Sequence, residues 1–162
     1  MSIRPSIPLL FLSLALMASI SCVSSGRKQQ KNTYDPRFFL EHVHPDSQRQ
    51  EYRAVLPVSR SEIELLPFPA FDHEDLRNVD VVALPMGKAL AFHFKPEASR
   101  HLMSTSATAT GRRLVLALGN RFVGARRFEG ALTDGVFILF VELPDEELEP
   151  IARSINASIA KD

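Results

Sequence analysis

An antiparallel hairpin is indicated most clearly by the stretch GRRLVLALGNRFVGA, residues 111–125. Large apolar side chains alternate along its first half, so Leu114, Leu116 and Leu118 share one face of a strand. The pair Gly119-Asn120 follows, and glycine in the first position is what a two-residue type II′ hairpin loop requires. The stretch therefore predicts two neighbouring strands joined by a tight turn, with these leucines facing the core.

Similar patterns on both sides of this hairpin predict further strands. They cover residues 37–43, 50–58, 63–66, 78–84, 88–94, 112–118, 121 to about 132, and 136–141. The first two are expected to pair with each other across the turn-rich residues 44–47. The strand that returns from the hairpin is expected to be interrupted near Gly124 or Gly130. The last strand is an unbroken apolar run, which predicts a central strand that is covered on both faces for at least part of its length.

Two long helices complete the predicted elements. The first begins just after Pro96 and has Gly111 as its stop. The second is expected to become regular only at Pro150, after a looser turn from Asp145, because proline breaks a helix interior. The order of elements predicts an α+β fold, a largely antiparallel sheet with the two main helices on one face. The core between sheet and helices is expected to contain one residue from each of four elements: Phe92, Leu116, Ile138 and Ile155.

Residues 1–22 have the layout of a secretory signal peptide. Arg4 is the only charged residue before Cys22, and the apolar run between them is about a dozen residues long, whereas ~20 are needed to span a bilayer. The pair Ser21-Cys22 resembles the lipobox of bacterial lipoproteins, in which the cysteine is acylated and becomes the mature N-terminus. Cys22 is therefore the expected lipidation site, with an ordinary signal peptide and an incidental cysteine as the alternative. By the same resemblance, Val23 favours the outer over the inner membrane.

Beyond the cysteine, the composition predicts a flexible polar tether over residues 23–33 and a single α+β domain over residues 34–162. Cys22 is the only cysteine, so no internal disulfide and no cysteine-ligated metal site are expected. The formal net charge is +0, which argues against a nucleic-acid partner, because nucleic-acid-binding domains are usually basic. No cofactor is expected, since the sequence has no glycine-rich nucleotide or phosphate loop.

The histidines are the first candidates for chemistry. His42 and His44 would lie on the same side of an extended strand, but no further ligand is spaced to complete a metal site, so no metal is predicted. His93 shares a strand face with Ala89 and Ala91 and is expected to be a partly exposed structural side chain. The sequence has no nucleophile motif, and the chain is therefore predicted not to be an enzyme. The alternative is an envelope enzyme with a shallow site near His93.

Five arginines cluster along the predicted hairpin, and we call them the hairpin arginines: Arg112, Arg113, Arg121, Arg126 and Arg127. One interpretation is a contact surface for lipid headgroups, an acidic partner or a passing polypeptide. The other is edge protection, since charged residues on exposed strands oppose pairing with another sheet. The hairpin arginines are the predicted partner-binding residues, and they also border the alternative site near His93.

Residues 84–159, about half of the chain, resemble the head of the first periplasmic domain of SecD in the SecD/SecDF protein-export subunits. The shared features are a strand that ends in phenylalanine, a helix, a strand that starts Gly111-Arg112-Arg113-Leu114, a tight hairpin with glycine, and Gly135 before the last strand. This resemblance implies a ferredoxin-like α+β head that is exported and membrane-associated. It does not imply translocation activity, because the transmembrane helices that carry that work in SecD have no predicted counterpart here.

The combined patterns predict a non-catalytic envelope lipoprotein that is anchored by lipid and faces the periplasm. Its SecD-head-like module is expected to bind or scaffold a partner as an accessory to protein export or envelope assembly. The expected partners are the membrane, through the lipid anchor, and a polypeptide or another envelope protein.

Overall fold

The computed structural model describes residues 34–43 and 52–161 of the chain. The strands, in chain order, are β1 (Pro36–Leu40), β2 (Tyr52–Val55), β3 (Glu62–Leu65), β4 (Phe71–Asp72), β5 (Leu76–Leu84), β6 (Gly87–Phe94), β7 (Arg113–Leu118), β8 (Arg121–Arg127) and β9 (Val136–Leu139). The helices are α1 (Pro96–Thr108) and α2 (Asp145–Ile159), and a 3₁₀ turn at His73–Asp75 separates β4 from β5. The predicted α+β fold with antiparallel pairing and two helices is confirmed.

The described strands form three antiparallel sheets. The first has the order β4-β1-β7-β8, the second is the β2–β3 hairpin, and the third has the order β5-β6-β9. Because β1 pairs with β4 and β7 while β2 pairs with β3, the predicted hairpin of residues 37–43 with 50–58 is wrong. The reason is burial: Phe38 and Phe39 point to opposite faces of β1 and both are buried, which suits a strand inside a sheet.

The main core lies between the first and third sheets. The Phe38 ring of β1 meets Phe92 of β6 edge-on, with ring centroids 5.0 Å apart, and Phe137 of β9 at 6.0 Å. Leu102 of α1 and Ile155 of α2 are fully buried in the same cluster. Edge-to-face aromatic pairs add to the free energy that burial itself contributes. The two sheets and both helices therefore share one apolar interior.

The β2–β3 hairpin covers the opposite face of the first sheet. Side chains alternate along β1 and β7, so those on one face join the main core and those on the other join a smaller cluster. The buried members of that smaller cluster are Phe39, Ala54, Leu56, Ile63, Leu65, Val115 and Ala117. The predicted inward position of the leucines of β7 is confirmed. Val115 and Ala117, on the opposite face, are buried as well, which the alternation did not predict.

The strand β9 lies at the edge of the third sheet and is not the central strand that its apolar run predicted. Phe137 and Leu139 face the main core, whereas Ile138 pairs with Ala91 on the other face and is only half-buried. Ile138 therefore does not belong to the predicted core cluster, while Phe92, Leu116 and Ile155 do. An apolar run does not by itself show whether a strand is central or at the edge of its sheet. It also does not show which of the alternate residues face the core.

Both helices contain a proline. Pro96 is itself the first residue of α1, whereas the helix was predicted to begin just after it, and a missing N–H costs no hydrogen bond at that position. The helix α2 begins at Asp145 and contains Pro150, so the prediction that regular helix starts at Pro150 is wrong. Pro150 cannot donate to the carbonyl of Glu146, but Glu146 is exposed and water can take that place. The acidic first turn also favours the helix through its dipole.

The helix α2 protects the outer edge of β5. The amide of Asn156 donates from Nδ2 to the Val79 carbonyl and accepts the Val79 N–H on Oδ1, both at 2.8 Å. One side chain thus satisfies the two backbone groups that a further strand would otherwise bond. At this position β5 cannot pair with another chain unless Asn156 is displaced.

Core truncation tests this arrangement. Replacing Ile155 by Ala should lower the free energy of unfolding by about 2–5 kcal/mol, because a buried side chain leaves a cavity. Replacing Ile138 by Ala is the matched control and should cost only about 1 kcal/mol, because this side chain is half-buried on the outer face. Urea unfolding of both variants measures the difference. Equal losses at the two positions would contradict the assigned faces of β9.

Candidate functional site

The structure divides the hairpin arginines into half-buried and exposed members. Arg112, Arg113 and Arg126 are half-buried, and Arg121 and Arg127 are exposed at opposite ends of β8. The two strands pair in register, so that Arg113 lies directly across from Arg127. The five side chains therefore do not form one uniform basic strip, and each has to be considered with its own neighbours.

Arg112 and Arg113 both bind Glu41, the residue that follows β1. Arg112 donates from Nε to the Glu41 carbonyl at 2.7 Å. The Glu41 carboxylate accepts the Arg113 backbone N–H at 2.7 Å and the Arg113 Nη2 at 2.5 Å. These contacts fasten the end of β1 to the start of β7. The two arginines therefore have a structural role, whatever else they contact.

The electrostatics of Glu41 follow from this arrangement. Burial by itself would raise the pKa of Glu41, since it disfavours the charged form. The hydrogen bonds from Arg113 and the positive charges of Arg113 and Arg127 outweigh burial, and the pKa lies below its ordinary value. The Arg113 guanidinium is correspondingly held in its charged form, with its pKa raised above its ordinary value mainly by the hydrogen bond to Glu41. The pair is ionised at neutral pH.

Arg126 and Arg127 lie at the end of β8. Arg126 donates from Nη1 to the Ile138 carbonyl of β9 at 2.9 Å, and its guanidinium carbon lies 5.8 Å from the centre of the Phe137 ring. Arg127 donates to the carbonyl of Gly111 and is otherwise exposed to solvent. An arginine has five N–H groups, so most donors of Arg127 are left for a further acceptor. Of the two, Arg127 is the side chain that is available to a partner.

The strands β8 and β9 run side by side without forming a ladder. The Glu142 N–H, just after β9, donates to the Val123 carbonyl of β8 at 2.6 Å. Farther along, the two backbones do not bond to each other directly. Instead, the Arg126 side chain donates a hydrogen bond to the Ile138 carbonyl. Close approach at the bonded end depends on Gly124, where a Cβ atom would lie 2.9 Å from the Phe140 carbonyl oxygen. The two strands therefore bond directly at one end. Towards Arg127 they are joined through side chains, by the Arg126–Ile138 bond and by the Phe128 and Phe137 rings, whose centroids are 6.1 Å apart.

A cavity of ≈ 230 Å³ lies where β8 ends, lined by residues 126–132. It contains Arg126, Arg127 and Glu129 as charged side chains, so positive charge is in excess. Sites for drug-sized ligands usually measure about 300–1,000 Å³. The cavity is smaller than such sites.

The histidines do not converge on this region. The Nε2 atom of His93 lies 3.1 Å from the carboxylate of Asp80 on β5, and the side chain is partly exposed as predicted. Within the described ranges, no three His, Cys, Asp or Glu side chains are grouped to hold a metal ion. His44, the second member of the histidine pair with His42, lies outside the described residues, as do Cys22 and the tether over residues 23–33.

Two carboxylates that organise this region were not recognised from the sequence. Glu41 meets Arg113 only because β1 pairs with β7, a pairing that the sequence analysis had assigned differently. Glu142 accepts the N–H groups of Val58 at 2.7 Å and Ser59 at 2.9 Å, which ties the turn of the β2–β3 hairpin to the end of β9. Burial would raise the pKa of Glu142, but the hydrogen bonds from Ser59 and Val58 outweigh it and the pKa is lowered. Neither carboxylate lies in a recognisable motif.

Replacing Glu41 by Gln should lower the free energy of unfolding at pH 7 by about 1–3 kcal/mol, because Arg113 loses its charged partner. The pKa of Glu41 is lower in the folded than in the unfolded chain, so its contribution is present above about pH 4.3 and disappears as the pH falls through the folded value. The difference in the free energy of unfolding between the variant and the wild type should therefore decrease when urea unfolding is repeated at lower pH, down to about pH 3.

The matched control is Glu62→Gln, which removes an exposed carboxylate 3.2 Å from Arg53. Its effect should stay below about 0.5 kcal/mol at every pH, since exposed ion pairs contribute little. If Glu41→Gln lowers the free energy of unfolding by the same amount at neutral and acidic pH, the assigned ion pair is contradicted.

The chain resembles solved structures of SecDF. One is a crystal structure of SecDF in a super-membrane-facing form, with a TM-score of 0.60 and 19% sequence identity over 78% of this chain. Another comes from work on SecDF as a membrane component that enhances protein export, with a TM-score of 0.59 and 16% identity over 78% of this chain. The chain spans 19% of the first SecDF chain and 64% of the second. The resemblance to the SecD/SecDF family inferred from the sequence is thus confirmed for the fold.

No protein-family model matches the chain, and no curated protein sequence matches it. Of the parts that the structure describes, neither helix is long and apolar enough to cross a membrane.

Proposed function

We propose that this protein is a non-catalytic envelope lipoprotein whose SecD-head-like module binds extended polypeptide, as an accessory to protein export or envelope assembly. A lipid on Cys22 anchors it, preferably in the outer membrane, and residues 23–33 tether the module on the periplasmic side. The observation that carries the proposal is the fold likeness to SecDF over 78% of the chain, at a TM-score of 0.60. One of the SecDF structures is described as that of a component that enhances protein export.

Binding of an extended polypeptide is supported by the shape of the sheets. A polypeptide in extended conformation can add to a sheet edge through main-chain hydrogen bonds, and side-chain contacts then give selectivity. The strands β2 and β8 are the terminal strands of their sheets. Arg121 and Arg127 are exposed on β8, where they would favour acidic segments of a partner.

Lipidation at Cys22 predicts a specific mass. The full chain, expressed in a bacterium and extracted from its membranes, should begin at Cys22 and carry a diacylglyceryl group, as intact-mass spectrometry would show. The Cys22→Ala protein should lose this group and leave the membrane fraction. A Cys22→Ala protein that still fractionates wholly with membranes would count against the lipid anchor.

Polypeptide binding predicts capture of a protein that cannot fold. The full chain in detergent should retain a reduced, carboxymethylated polypeptide and not its folded form. Replacing Arg121 and Arg127 together by Ser should weaken capture about threefold or more, because two exposed positive charges are lost. The variant should keep its thermal stability within about 0.5 kcal/mol, since exposed charges contribute little to folding.

The control for the enzyme alternative is His93→Ala, which should leave capture unchanged. Capture that is indifferent to Arg121 and Arg127, together with a turnover that disappears when His93 is replaced, would overturn the binding function in favour of an enzyme.

A further inference from the structure

We infer that the turn between β5 and β6 inserts into the surface of a zwitterionic lipid bilayer, with Leu84 and Met86 below the headgroups. This inference rests on the proposed lipid anchor at Cys22 and adds a direct contact between the folded domain and the membrane. It is carried by the exposed apolar side chains at one end of the domain and by the entry of the chain at that same end.

The β5–β6 turn exposes large apolar side chains. Met86 is 84% exposed, Leu84 is 37% exposed, and Pro85 between them is exposed as well. Residues 81–87 carry no charge, and the exposed Lys88 follows directly. Turn positions usually carry Gly, Pro, Asn, Asp or Ser, so methionine is unusual in a turn that faces water. An apolar turn with a lysine at its base matches a membrane interface, where the lysine extends its ammonium back to the headgroups.

The strand directions show which end of the domain this turn occupies. The strands β1 and β8 run in the same direction, because both are antiparallel to β7. The strand β9 passes β8 in the opposite direction, since Glu142 bonds Val123 while Ile138 bonds Arg126. Because β6 is antiparallel to β9, it runs in the direction of β1 and β8. The starts of β1, β6 and β8 therefore lie at one end, which we call the entry end.

The chain enters the described domain at the entry end. Asp35, just before β1, accepts the Gly119 N–H on its carbonyl at 2.9 Å. Phe38 of β1 packs on Phe92 of β6, so β1 lies over β6 and the two strands start on the same side of the core. Residues 23–33, fully extended, span at most about 40 Å. A lipid on Cys22 therefore keeps the entry end, with its β5–β6 turn, close to the bilayer.

Two further exposed apolar side chains lie at the entry end. Phe140 follows the last residue of β9, which pairs with the first half of β6, and it is 39% exposed. Val58, in the turn between β2 and β3, is 75% exposed, and its N–H donates to the Glu142 carboxylate at 2.7 Å. Clusters of exposed apolar side chains mark contact sites for proteins or membranes. The β5–β6 turn is thus part of a larger apolar end.

The charges at this end indicate which lipids it suits. Asp145 and Glu146 are exposed at the start of α2, shortly after Glu142, and anionic headgroups would repel them. Lys88 and Arg121 are exposed at the starts of β6 and β8 and offset these carboxylates. The contact therefore depends on insertion of apolar side chains, and a zwitterionic bilayer is the surface that fits.

Single tryptophans test the contact, because the sequence contains none. Met86→Trp and Met103→Trp are made separately in the full chain, purified from bacterial membranes and reconstituted into phosphatidylcholine vesicles with brominated acyl chains. Met103 is the matched control, since it is 42% exposed on α1, which begins where β6 ends, opposite the entry end. Bromine quenches only a tryptophan that reaches the acyl chains, so fluorescence of Met86→Trp should fall about twofold while that of Met103→Trp changes by less than about a tenth.

A second substitution tests the apolar basis of the contact. Replacing Leu84 by Ser in the Met86→Trp chain should about halve the quenching, because less apolar area enters the bilayer. Replacing Met103 by Ser in the same chain should leave the quenching unchanged. Including phosphatidylglycerol in the vesicles should not increase the quenching, because the exposed carboxylates of α2 lie at the same end.

The possible outcomes separate this inference from the proposed function. If intact mass shows the lipid on Cys22 but the two tryptophans are quenched equally or not at all, the inserted turn is overturned and the anchor stands. Quenching that rises with phosphatidylglycerol would overturn the zwitterionic surface. A chain that carries no lipid on Cys22 would overturn the anchor and the inserted turn together. Capture of the carboxymethylated polypeptide is measured separately and does not depend on any of these results.

Discussion

Burial of β1 on both faces is the constraint on which the rest of the structure depends. Phe38 contacts the aromatic rings of the third sheet, while Phe39, its neighbour in sequence, belongs to the separate cluster under the β2–β3 hairpin. Adjacent residues of a strand point in opposite directions, so both faces of the first sheet need a cover. The third sheet and the helices supply one cover, and the hairpin supplies the other.

This layering also determines where β8 and β9 meet. The first and third sheets pack around Phe38, which brings their terminal strands together at Val123 and Glu142. Glu142 bonds in two directions, since its N–H reaches β8 and its carboxylate holds the turn after β2. The same residue therefore links all three sheets. Gly124 permits the close contact at this point, because a Cβ atom there would lie 2.9 Å from the Phe140 carbonyl oxygen.

The local sequence patterns predicted individual strands and turns well. They did not predict which strands pair when the partners are far apart in the chain. The Gly119 turn was foreseen, and its φ of 60° is what a type II′ turn demands of its first residue. The partner of β1 was not foreseen, because the hairpin prediction relied on nearness in sequence. In the structure β1 pairs with β7, and Phe38 lies opposite Leu116, far later in the chain. The position of Ile138 depended in the same way on which alternate residues of β9 reach the core. The hairpin arginines were visible as a cluster, but Glu41, which holds two of them, could be assigned only after β1 was placed.

The described edges of these sheets are protected in different ways. The Asn156 amide occupies the outer edge of β5. The end of β1 covers the outer edge of β3, where the His42 N–H donates to the Glu64 carbonyl and the Leu66 N–H donates to the Leu40 carbonyl. Proteins blunt exposed edges because unpaired backbone groups invite pairing with other chains. Between β8 and β9, the Glu142 N–H bonds the Val123 carbonyl and the Arg126 side chain bonds the Ile138 carbonyl. An extended segment that added to the terminal strand β8 would be held by main-chain bonds, and the exposed Arg121 and Arg127 would select acidic side chains.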